Sequence, residues 1–274
     1  MLRFASCFHR RLAVLSLLAL ITARAPAESS SAAPLPDPAH FYLFLLIGQS
    51  NMAGRGPISP ADQLPMDRVL KFNAGGKWVP AVDPLHFDKA IAGVGLGRSF
   101  AAEIARDHPD VTIGLIPCAV GGSPIAAWQS GALYRETGAH PWDDALRRAR
   151  AALPDGTLKG ILWHQGESDA HVEKVAAYEA ELIDLVARWR VALKAPEVPF
   201  IVGQMGRFEG KPWTEYQEQV DAATRALVDA VPYTAYVSAE GLLDRGDKIH
   251  FSTPSYYEFG RRYAEAYRKL TDRN

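Results

Sequence analysis

The sequence predicts an α/β fold in which a parallel sheet carries helices on both faces. Three observations indicate this class: short apolar runs recur along the chain, amphipathic helical segments lie between them, and turn motifs follow several runs directly. Alternating strands and helices form βαβ units, which place parallel strands side by side. In such sheets the functional sites lie beyond the carboxyl ends of the strands. A motif that directly follows a strand is therefore a candidate for function.

Five segments are predicted to be strands. The strongest is residues 41–47, a continuous apolar run of the kind expected for a strand that is buried on both faces. The other four are shorter apolar runs at residues 111–117, 160–164, 200–204 and 233–237. Residues 53–97 show little regular pattern and are rich in Gly and Pro, which predicts a long insertion over the top of the sheet.

The predicted helices alternate with these strands. The clearest has one apolar stripe at helical spacing, formed by Tyr178, Leu182, Leu185, Val186, Trp189 and Leu193. Weaker helical patterns cover residues 98–107, 143–153 and 213–231. Thr253 and Pro254 predict the N-cap and the first position of a C-terminal helix that continues to about Leu270.

Composition and charge exclude several classes of protein. Of the 274 residues, 48% are hydrophobic and 22% are charged, which argues against a disordered chain, collagen or a coiled coil. The 30 basic residues are balanced by 31 acidic ones, so no basic surface predicts a nucleic-acid partner. No apolar run reaches the roughly 18 residues that a membrane span needs, and no membrane association is expected.

The N-terminus has the pattern of an export signal. Residues 1–27 combine a basic start with a 12-residue apolar stretch, which is too short to span a bilayer. Small-residue patterns predict cleavage near Ala25 or Ala27 and hence a secreted or periplasmic protein. Residues 28–40 are rich in Ser, Ala and Pro and predict a flexible linker, which leaves residues 41–274 as one domain.

The first motif that can carry chemistry is GQSNM, residues 48–52, directly after the strongest strand. A serine at a sharp strand-to-helix turn exposes its hydroxyl and places its own N–H where developing negative charge is stabilised. Ser50 is therefore a candidate nucleophile. Taken alone the motif fits a helix N-cap at least as well, and it lacks the second Gly of the G-x-S-x-G motif.

Asp247 and His250 form a second motif after the last predicted strand. A serine nucleophile needs a base, and the base needs an orienting carboxylate. A carboxylate three residues before a histidine can accept the Nδ1 proton in a turn, which leaves Nε2 free to face Ser50. The alternative is a solvated loop with an incidental Asp and His.

The motif WHQGESD, residues 163–169, follows the strand at 160–164. A Gln165 amide that pointed toward Ser50 would be an oxyanion donor. Glu167 is expected to orient Gln165, to hold the loop or to bind a substrate hydroxyl. The alternative role of the motif is that Ser168 and Asp169 cap the next helix.

Paired glycines follow the strand at 111–117. Gly121 or Gly122 would let the backbone approach a ligand closely and present a second oxyanion N–H. Taken alone, the pair predicts no more than a tight turn.

Metal and thiol chemistry are disfavoured. His164, Glu167, Asp169 and His171 lack the i, i+4 histidine pairing of a helical zinc site. Cys118 lies in an apolar run at a strand end and is expected to be an inert core residue. No metal ion and no cofactor are predicted.

Four motifs in this order, GQSNMAG, GGSPI, WHQGESD and DxxH, resemble the sialate O-acetylesterase-like and acetylxylan-esterase proteins of the SGNH hydrolase superfamily. The resemblance covers roughly residues 41–270. It implies a flavodoxin-like, three-layer α/β/α fold with a five-stranded parallel sheet. It also implies serine-esterase chemistry without a cofactor, usually the deacetylation of carbohydrates.

The resemblance also assigns roles by position. Ser50 is implied as the nucleophile, His250 as the base and Asp247 as its partner. Gln165 takes the place of an Asn found in many SGNH enzymes, and Gly122 is favoured over Gly121 as the oxyanion glycine. The residues expected to support the site or to bind substrate are Gln49, Asn51, Arg55 and Glu167.

The function predicted on these grounds is a secreted serine esterase acting on acetylxylan, sialate or related acetylated sugars. One alternative is a non-catalytic carbohydrate-binding protein that stacks sugars on Trp78, Trp128 and Trp142. Another is a serine hydrolase of other esters, such as lipids. The sequence leaves open the sugar, the acetylated position and the oligomeric state.

Overall fold

A seven-stranded sheet forms the centre of the part of the chain that the structure describes, which is Met1 and residues 34–272 of a computed structural model. Its strands run in the spatial order β3-β2-β4-β1-β5-β6-β7, and only β3 is antiparallel to its neighbour. In chain order the strands are β1 (Phe41–Gly48), β2 (Val69–Phe72), β3 (Trp78–Pro80), β4 (Thr112–Pro117), β5 (Thr157–His164), β6 (Phe200–Gly203) and β7 (Thr234–Val237).

The five predicted strands correspond to β1, β4, β5, β6 and β7, and the parallel α/β class is confirmed. Numbered among themselves, these five strands have the order 2-1-3-4-5, which is the flavodoxin-like arrangement. The expected count of five was too low, because β2 and β3 arise within residues 53–97. That segment is not only a cover over the sheet: β2 and β3 form a hairpin that extends one edge. Both strands are too short to show a period, and Pro80 sits on the edge strand, where a missing N–H is tolerated.

Six α-helices are present among the described residues, and five of them match predicted helices closely. The first is a single turn, α1 (Ser50–Ala53), which immediately follows β1. The longer helices are α2 (Gly97–Asp107), α3 (Pro141–Ala152), α4 (Tyr178–Ala192), α5 (Glu215–Ala230) and α6 (Thr253–Thr271).

The start of α6 differs from the prediction by one residue. Ser252 is the N-cap, because its hydroxyl accepts a hydrogen bond from the Ser255 N–H, whereas Thr253 is the first helical residue. The Thr253 hydroxyl instead donates to the carbonyl of Pro57, which fastens the helix start to the segment after α1. Ser252 and Thr253 are both residue types that cap helices, and the contact of Thr253 with Pro57 leaves Ser252 as the N-cap.

The helices form two layers around the sheet. Helices α2 and α6 pack on one face, and α3, α4 and α5 pack on the other. Strand β1 serves both layers: Phe44 and Leu46 point into the first, and Leu43, Leu45 and Ile47 point into the second. The three-layer α/β/α architecture is therefore built on a strand with two apolar faces.

The predicted signal segment, residues 1–27, lies outside the described residues apart from Met1. The predicted linker, residues 28–40, is described only from residue 34. Its end is not free, because Pro38–His40 forms a 3-10 turn and the Pro38 carbonyl accepts a hydrogen bond from the Thr157 hydroxyl. Among the described residues, no helix combines the length and the apolar character that crossing a membrane requires.

The carboxyl ends of β1, β4 and β5 converge at one edge. Gly48 at the end of β1 pairs with His164 at the end of β5, and its carbonyl accepts a hydrogen bond from Val120, just beyond β4. Gly48 has a φ of +129°, and a Cβ there would lie 2.1 Å from the His164 carbonyl oxygen. Only glycine allows the chain to turn from β1 into α1 at this point.

Candidate active site

Three of the sequence-predicted side chains lie in one hydrogen-bonded line. His250 Nε2 is 3.0 Å from Ser50 Oγ, and His250 Nδ1 is 2.8 Å from Asp247 Oδ2. The other Asp247 oxygen accepts the backbone N–H groups of Ile249 and His250 at 2.9 and 2.8 Å. The carboxylate is thus fixed by its own turn, as its spacing of three residues from His250 predicts.

The electrostatics of this line suit a general base. Burial lowers the pKa of His250 below its usual value, and the hydrogen bond and negative charge of Asp247 oppose that shift. Burial by itself raises the pKa of Asp247, but hydrogen bonds from His250 and Ile249 outweigh it, and the pKa ends below its usual value. Near neutral pH this leaves a neutral imidazole beside an ionised carboxylate, which is the state that a base requires.

Glu167 joins the two residues that flank Ser50. One of its carboxylate oxygens accepts from Gln49 Nε2 and the other from Asn51 Nδ2, each at 2.6 Å. Burial raises the pKa of Glu167 above its usual value, and the hydrogen bond from Asn51 opposes that shift. Of the three expected roles of Glu167, holding the loop is the one that its contacts support.

Asn51 also links the nucleophile turn to the histidine loop. Its Nδ2 donates to the Ile249 carbonyl at 3.0 Å, and its Oδ1 accepts from the Tyr256 hydroxyl at 2.7 Å. Asn51 is fully buried. A buried amide with donors and acceptors satisfied on several loops fixes their relative positions. The sequence contained no signal for Tyr256, which lies within a helical pattern.

Gln165 is buried, and its amide is hydrogen-bonded to residues other than Ser50. Its Nε2 lies 2.5 Å from Asp169 Oδ2 and 3.3 Å from Gln49 Oε1, and its Oε1 accepts from the Tyr178 hydroxyl at 3.1 Å. The reason is Asp169, whose carboxylate holds the amide. The helix-capping alternative for Asp169 is wrong, because that carboxylate accepts from Gln165 and from the N–H of Ile125.

The two glycines of the turn after β4 differ in their contacts. Gly121 donates its N–H to Asp88 Oδ2 at 2.8 Å. Within the described part of the chain, the Gly122 N–H has no acceptor. Gly122 has a φ of +86°, and the Ser168 hydroxyl donates to its carbonyl at 2.8 Å. Ser168 therefore braces the turn, and the capping alternative for Ser168 is also wrong.

Arg55 does not reach the surface as a substrate contact would. Its side chain is 3% exposed, and its Nη2 is 2.8 Å from Asp88 Oδ2. This placement fits a supporting role. Sequence reasoning missed Asp88 because it lies in the insertion 53–97, where no pattern singled it out.

The predicted sugar-stacking tryptophans are packing residues. Trp128 and Trp142 are buried, with Trp128 against Trp163 and Trp142 against Trp189. Trp78 packs on two phenylalanine rings and donates its Nε1 proton to Asp155. These three rings pack against the protein instead of forming a sugar-stacking surface. They therefore do not support the alternative of a carbohydrate-binding protein.

Two further titratable candidates, His164 and Cys118, are buried. Burial lowers the pKa of His164 to about 3 and raises that of the Cys118 thiol to about 11. Among residues 34–272 no group of three or more His, Cys, Asp or Glu side chains is placed to hold a metal ion.

The fold and the matches to known proteins place the chain among the carboxylic ester hydrolases. More specifically, it belongs to the family described as carbohydrate esterase, sialic acid-specific acetylesterase, whose family model matches residues 40–269. A probable carbohydrate esterase of Arabidopsis thaliana, At4g34215, is 30% identical over 263 residues, which covers 88% of this chain and 95% of that protein.

Solved structures agree with this assignment. The X-ray structure of the Arabidopsis thaliana protein has a TM-score of 0.74 at 29% identity and covers 85% of this chain and 99% of that one. NanS has a TM-score of 0.65 at 19% identity, covering 88% of this chain and 100% of its own. XAC1771, a carbohydrate acetylesterase from Xanthomonas citri, has a TM-score of 0.66 at 21% identity, covering 86% and 57%. The likenesses to NanS and XAC1771 show that these proteins share the fold of this chain.

Proposed function

We propose that this protein removes O-acetyl groups from carbohydrates through a Ser50–His250–Asp247 triad and an acetyl-enzyme intermediate. The observation that carries the proposal is the hydrogen-bonded line from Ser50 Oγ through both ring nitrogens of His250 to Asp247. Family membership supports the substrate class. No cofactor takes part in this chemistry.

In the first half-reaction, His250 Nε2 takes the Ser50 proton while Ser50 Oγ attacks the acetyl carbonyl carbon. Asp247 keeps the Nδ1 proton in place and stabilises the imidazolium. The protonated His250 then gives its proton to the sugar oxygen, and the sugar leaves as an alcohol. The acetyl group remains on Ser50 as an ester.

The tetrahedral oxyanion is held by two backbone N–H groups and one side-chain amide. The Ser50 and Gly122 N–H groups are both without an acceptor in the described part of the chain, and they are the first two donors. Gln165 is the third: its Nε2 carries two protons, one bonded to Asp169 and the other within reach of the Ser123 carbonyl at 3.2 Å and of Gln49 Oε1 at 3.3 Å. Because both amide protons lie in one plane, the second reaches the oxyanion only when the whole Gln165 amide rotates about its side chain in the reaction.

In the second half-reaction, His250 activates a water molecule that attacks the acetyl-Ser50 ester. Collapse of the second tetrahedral intermediate releases acetate and returns the proton to Ser50. The side chains of His250 and Asp247 are 21% and 35% exposed, which leaves the site accessible to an ester carried on a sugar.

The test is hydrolysis of four esters by the wild-type protein and by Ser50→Ala, followed as release of the acid from each ester. The panel contains p-nitrophenyl acetate, p-nitrophenyl octanoate, acetylated xylan and O-acetyl sialic acid. Ser50-dependent release from the acetate esters and not from the octanoate supports the proposal, and the better sugar identifies the substrate class. Preference for the octanoate would favour the lipid-ester alternative, and retained activity in Ser50→Ala would overturn the nucleophile.

We also propose that the chain is exported and cleaved near Ala25 or Ala27. The support is the basic, apolar and small-residue pattern of residues 1–27. N-terminal sequencing of the protein recovered outside the cytoplasm tests this. A mature chain that starts after Ala25 or Ala27 agrees, and an intact Met1 contradicts it.

A further inference from the structure

One oxygen of Asp88 receives two hydrogen bonds. Arg55 Nη2 and the Gly121 N–H both lie 2.8 Å from Asp88 Oδ2. The side chains of Arg55 and Asp88 are 3% and 1% exposed. A buried ion pair loses much of its Coulomb energy to desolvation, so it is weak evidence for stability alone. The other contacts of the Arg55–Asp88 pair indicate a second role beside stability.

Arg55 extends the connection to the catalytic loops. Its Nη1 donates to the Gly54 carbonyl at 2.7 Å, and its own carbonyl accepts from Arg245 Nη1. Arg245 Nε in turn lies 3.5 Å from Asp247 Oδ2. A continuous set of polar contacts therefore runs from the triad carboxylate, past the residues after the nucleophile, to the Gly121 turn.

The ion pair also explains why residue 121 is glycine. A Cβ on Gly121 would lie 2.2 Å from Arg55 Nη2 and 2.7 Å from Asp88 Oδ2. Gly121 thus makes room for the ion pair, while Gly122 supplies the left-handed backbone of the turn. Because the Gly121 N–H donates to Asp88, the next N–H along the chain, that of Gly122, is the one without an acceptor in the described part of the chain.

We propose that Asp88 is a positioning residue that fixes the Gly121–Gly122 turn, and that Arg55 holds Asp88, so that the Gly122 N–H is presented to the oxyanion. This inference rests on the proposed function and deepens it. The turn also contacts Ser168, but that bond holds the Gly122 carbonyl and leaves the direction of the N–H groups to Asp88.

Two substitutions of Asp88 separate the acceptor from the charge. Asp88→Ala removes the acceptor of the Gly121 N–H. Asp88→Asn keeps one oxygen at the Oδ2 position and loses only the charge, with its amide at the Oδ1 position, which has no partner in the described structure. A merely structural ion pair would be damaged by both changes, whereas a positioning acceptor is rescued by Asn.

The matched control is Asp83→Asn, which alters another buried ion pair of the insertion, between Asp83 and Arg98 at 3.4 Å. We expect Asp88→Ala to lower kcat for p-nitrophenyl acetate about tenfold or more with KM within about twofold, since a misplaced donor weakens only the transition state. Asp88→Asn should retain most of kcat, and Asp83→Asn should leave it within about twofold.

A second readout does not depend on activity. Amide hydrogen exchange of residues 118–125 should speed up in Asp88→Ala and stay unchanged in Asp83→Asn, because only the first frees the Gly121 N–H. If Asp88→Ala does not fold, the comparison of Asp88→Asn with Gly121→Ala replaces it: the first keeps kcat and the second loses it about tenfold or more.

Unchanged kcat and unchanged exchange in a folded Asp88→Ala protein would overturn the inference. So would an equal kcat loss in Asp88→Asn and Asp88→Ala. If the wild type shows no Ser50-dependent hydrolysis, the proposed function fails, and the exchange measurement still decides the role of Asp88.

Discussion

Ser50 Oγ and His250 Nε2 lie 3.0 Å apart although 200 positions separate the two residues in the chain. The contact depends on Asn51, which donates to the carbonyl of Ile249, directly before His250, and accepts from Tyr256 on α6. Asn51 therefore connects the turn that carries Ser50 to the loop that carries His250 and to α6.

Replacing Asn51 with Ala should disrupt this alignment. The change leaves the buried Tyr256 hydroxyl and one Glu167 oxygen without their partner, which costs about 1–3 kcal/mol of stability for each unsatisfied group. We expect a lower Tm and a kcat reduced by at least about tenfold, since a small displacement of a catalytic pair has large effects on rate. Thermal unfolding and steady-state kinetics measure both. Asn73→Ala, in the exposed turn between β2 and β3, is the control: it removes one exposed hydrogen bond, so it should leave kcat unchanged and lower Tm less than Asn51→Ala does.

The activity should rise with pH as His250 loses its proton. Burial places the pKa of His250 below its usual value of 6.5, so the midpoint of kcat/KM should fall on the acid side of that value. Asp247 raises this pKa, so Asp247→Asn should move the midpoint to still lower pH and reduce kcat by roughly 10³- to 10⁴-fold. A pH–rate profile of both proteins checks this. A flat profile, or a midpoint that moves upward in Asp247→Asn, contradicts the assignment.

Glu167→Gln should lower kcat without moving that midpoint. A carboxylate accepts from both Gln49 and Asn51, whereas an amide offers one oxygen and presents an NH₂ group to the other donor. The charged groups with the largest effects on the pKa of His250 are Asp247, Arg55 and Arg245, and Glu167 is not one of them. We expect a loss of about tenfold in kcat, typical of a disturbed support for a catalytic group. A shifted midpoint with normal kcat would indicate an electrostatic role instead.

Acid should destabilise the fold through two buried histidines. Burial lowers the pKa of both His86 and His164 from 6.5 to about 3. The unfolded chain therefore binds protons that the folded chain refuses, and stability falls as pH drops below 6.5 toward 3. His86→Asn keeps an acceptor for the Ala119 N–H and should make the decline of Tm with pH less steep. An unchanged slope of Tm against pH would contradict this account.

The parts of the fold that the sequence predicts are those with local patterns. β1 is apolar on both faces, and the stripe on α4 repeats at helical spacing, so burial can be read from residue type alone. β2 and β3 contain 4 and 3 residues, which is too few to display a period. Their place at the sheet edge depends on pairing with β4, a contact that no local pattern encodes.

The same distinction applies to the candidate site: the sequence predicts residues that stand in local motifs and not those that act through distant contacts. Ser50, Asp247 and His250 stand in motifs that follow strands, and the structure brings them together. Asp88 and Tyr256 act through partners far away in the chain, so their residue types carry no signal. The orientation of Gln165 could not be predicted either, because it is set by the contacts of its amide with Asp169, Ser123 and Gln49.

The most direct test of the central claim is labelling with diethyl p-nitrophenyl phosphate, which phosphorylates an activated serine, followed by peptide mass analysis. If Ser50 is the nucleophile and His250 its base, we expect one adduct on the peptide that contains Ser50, none there in Ser50→Ala, and much slower labelling in His250→Ala. An unlabelled Ser50 in a protein that hydrolyses p-nitrophenyl acetate, or an adduct on another residue that abolishes activity, would contradict it.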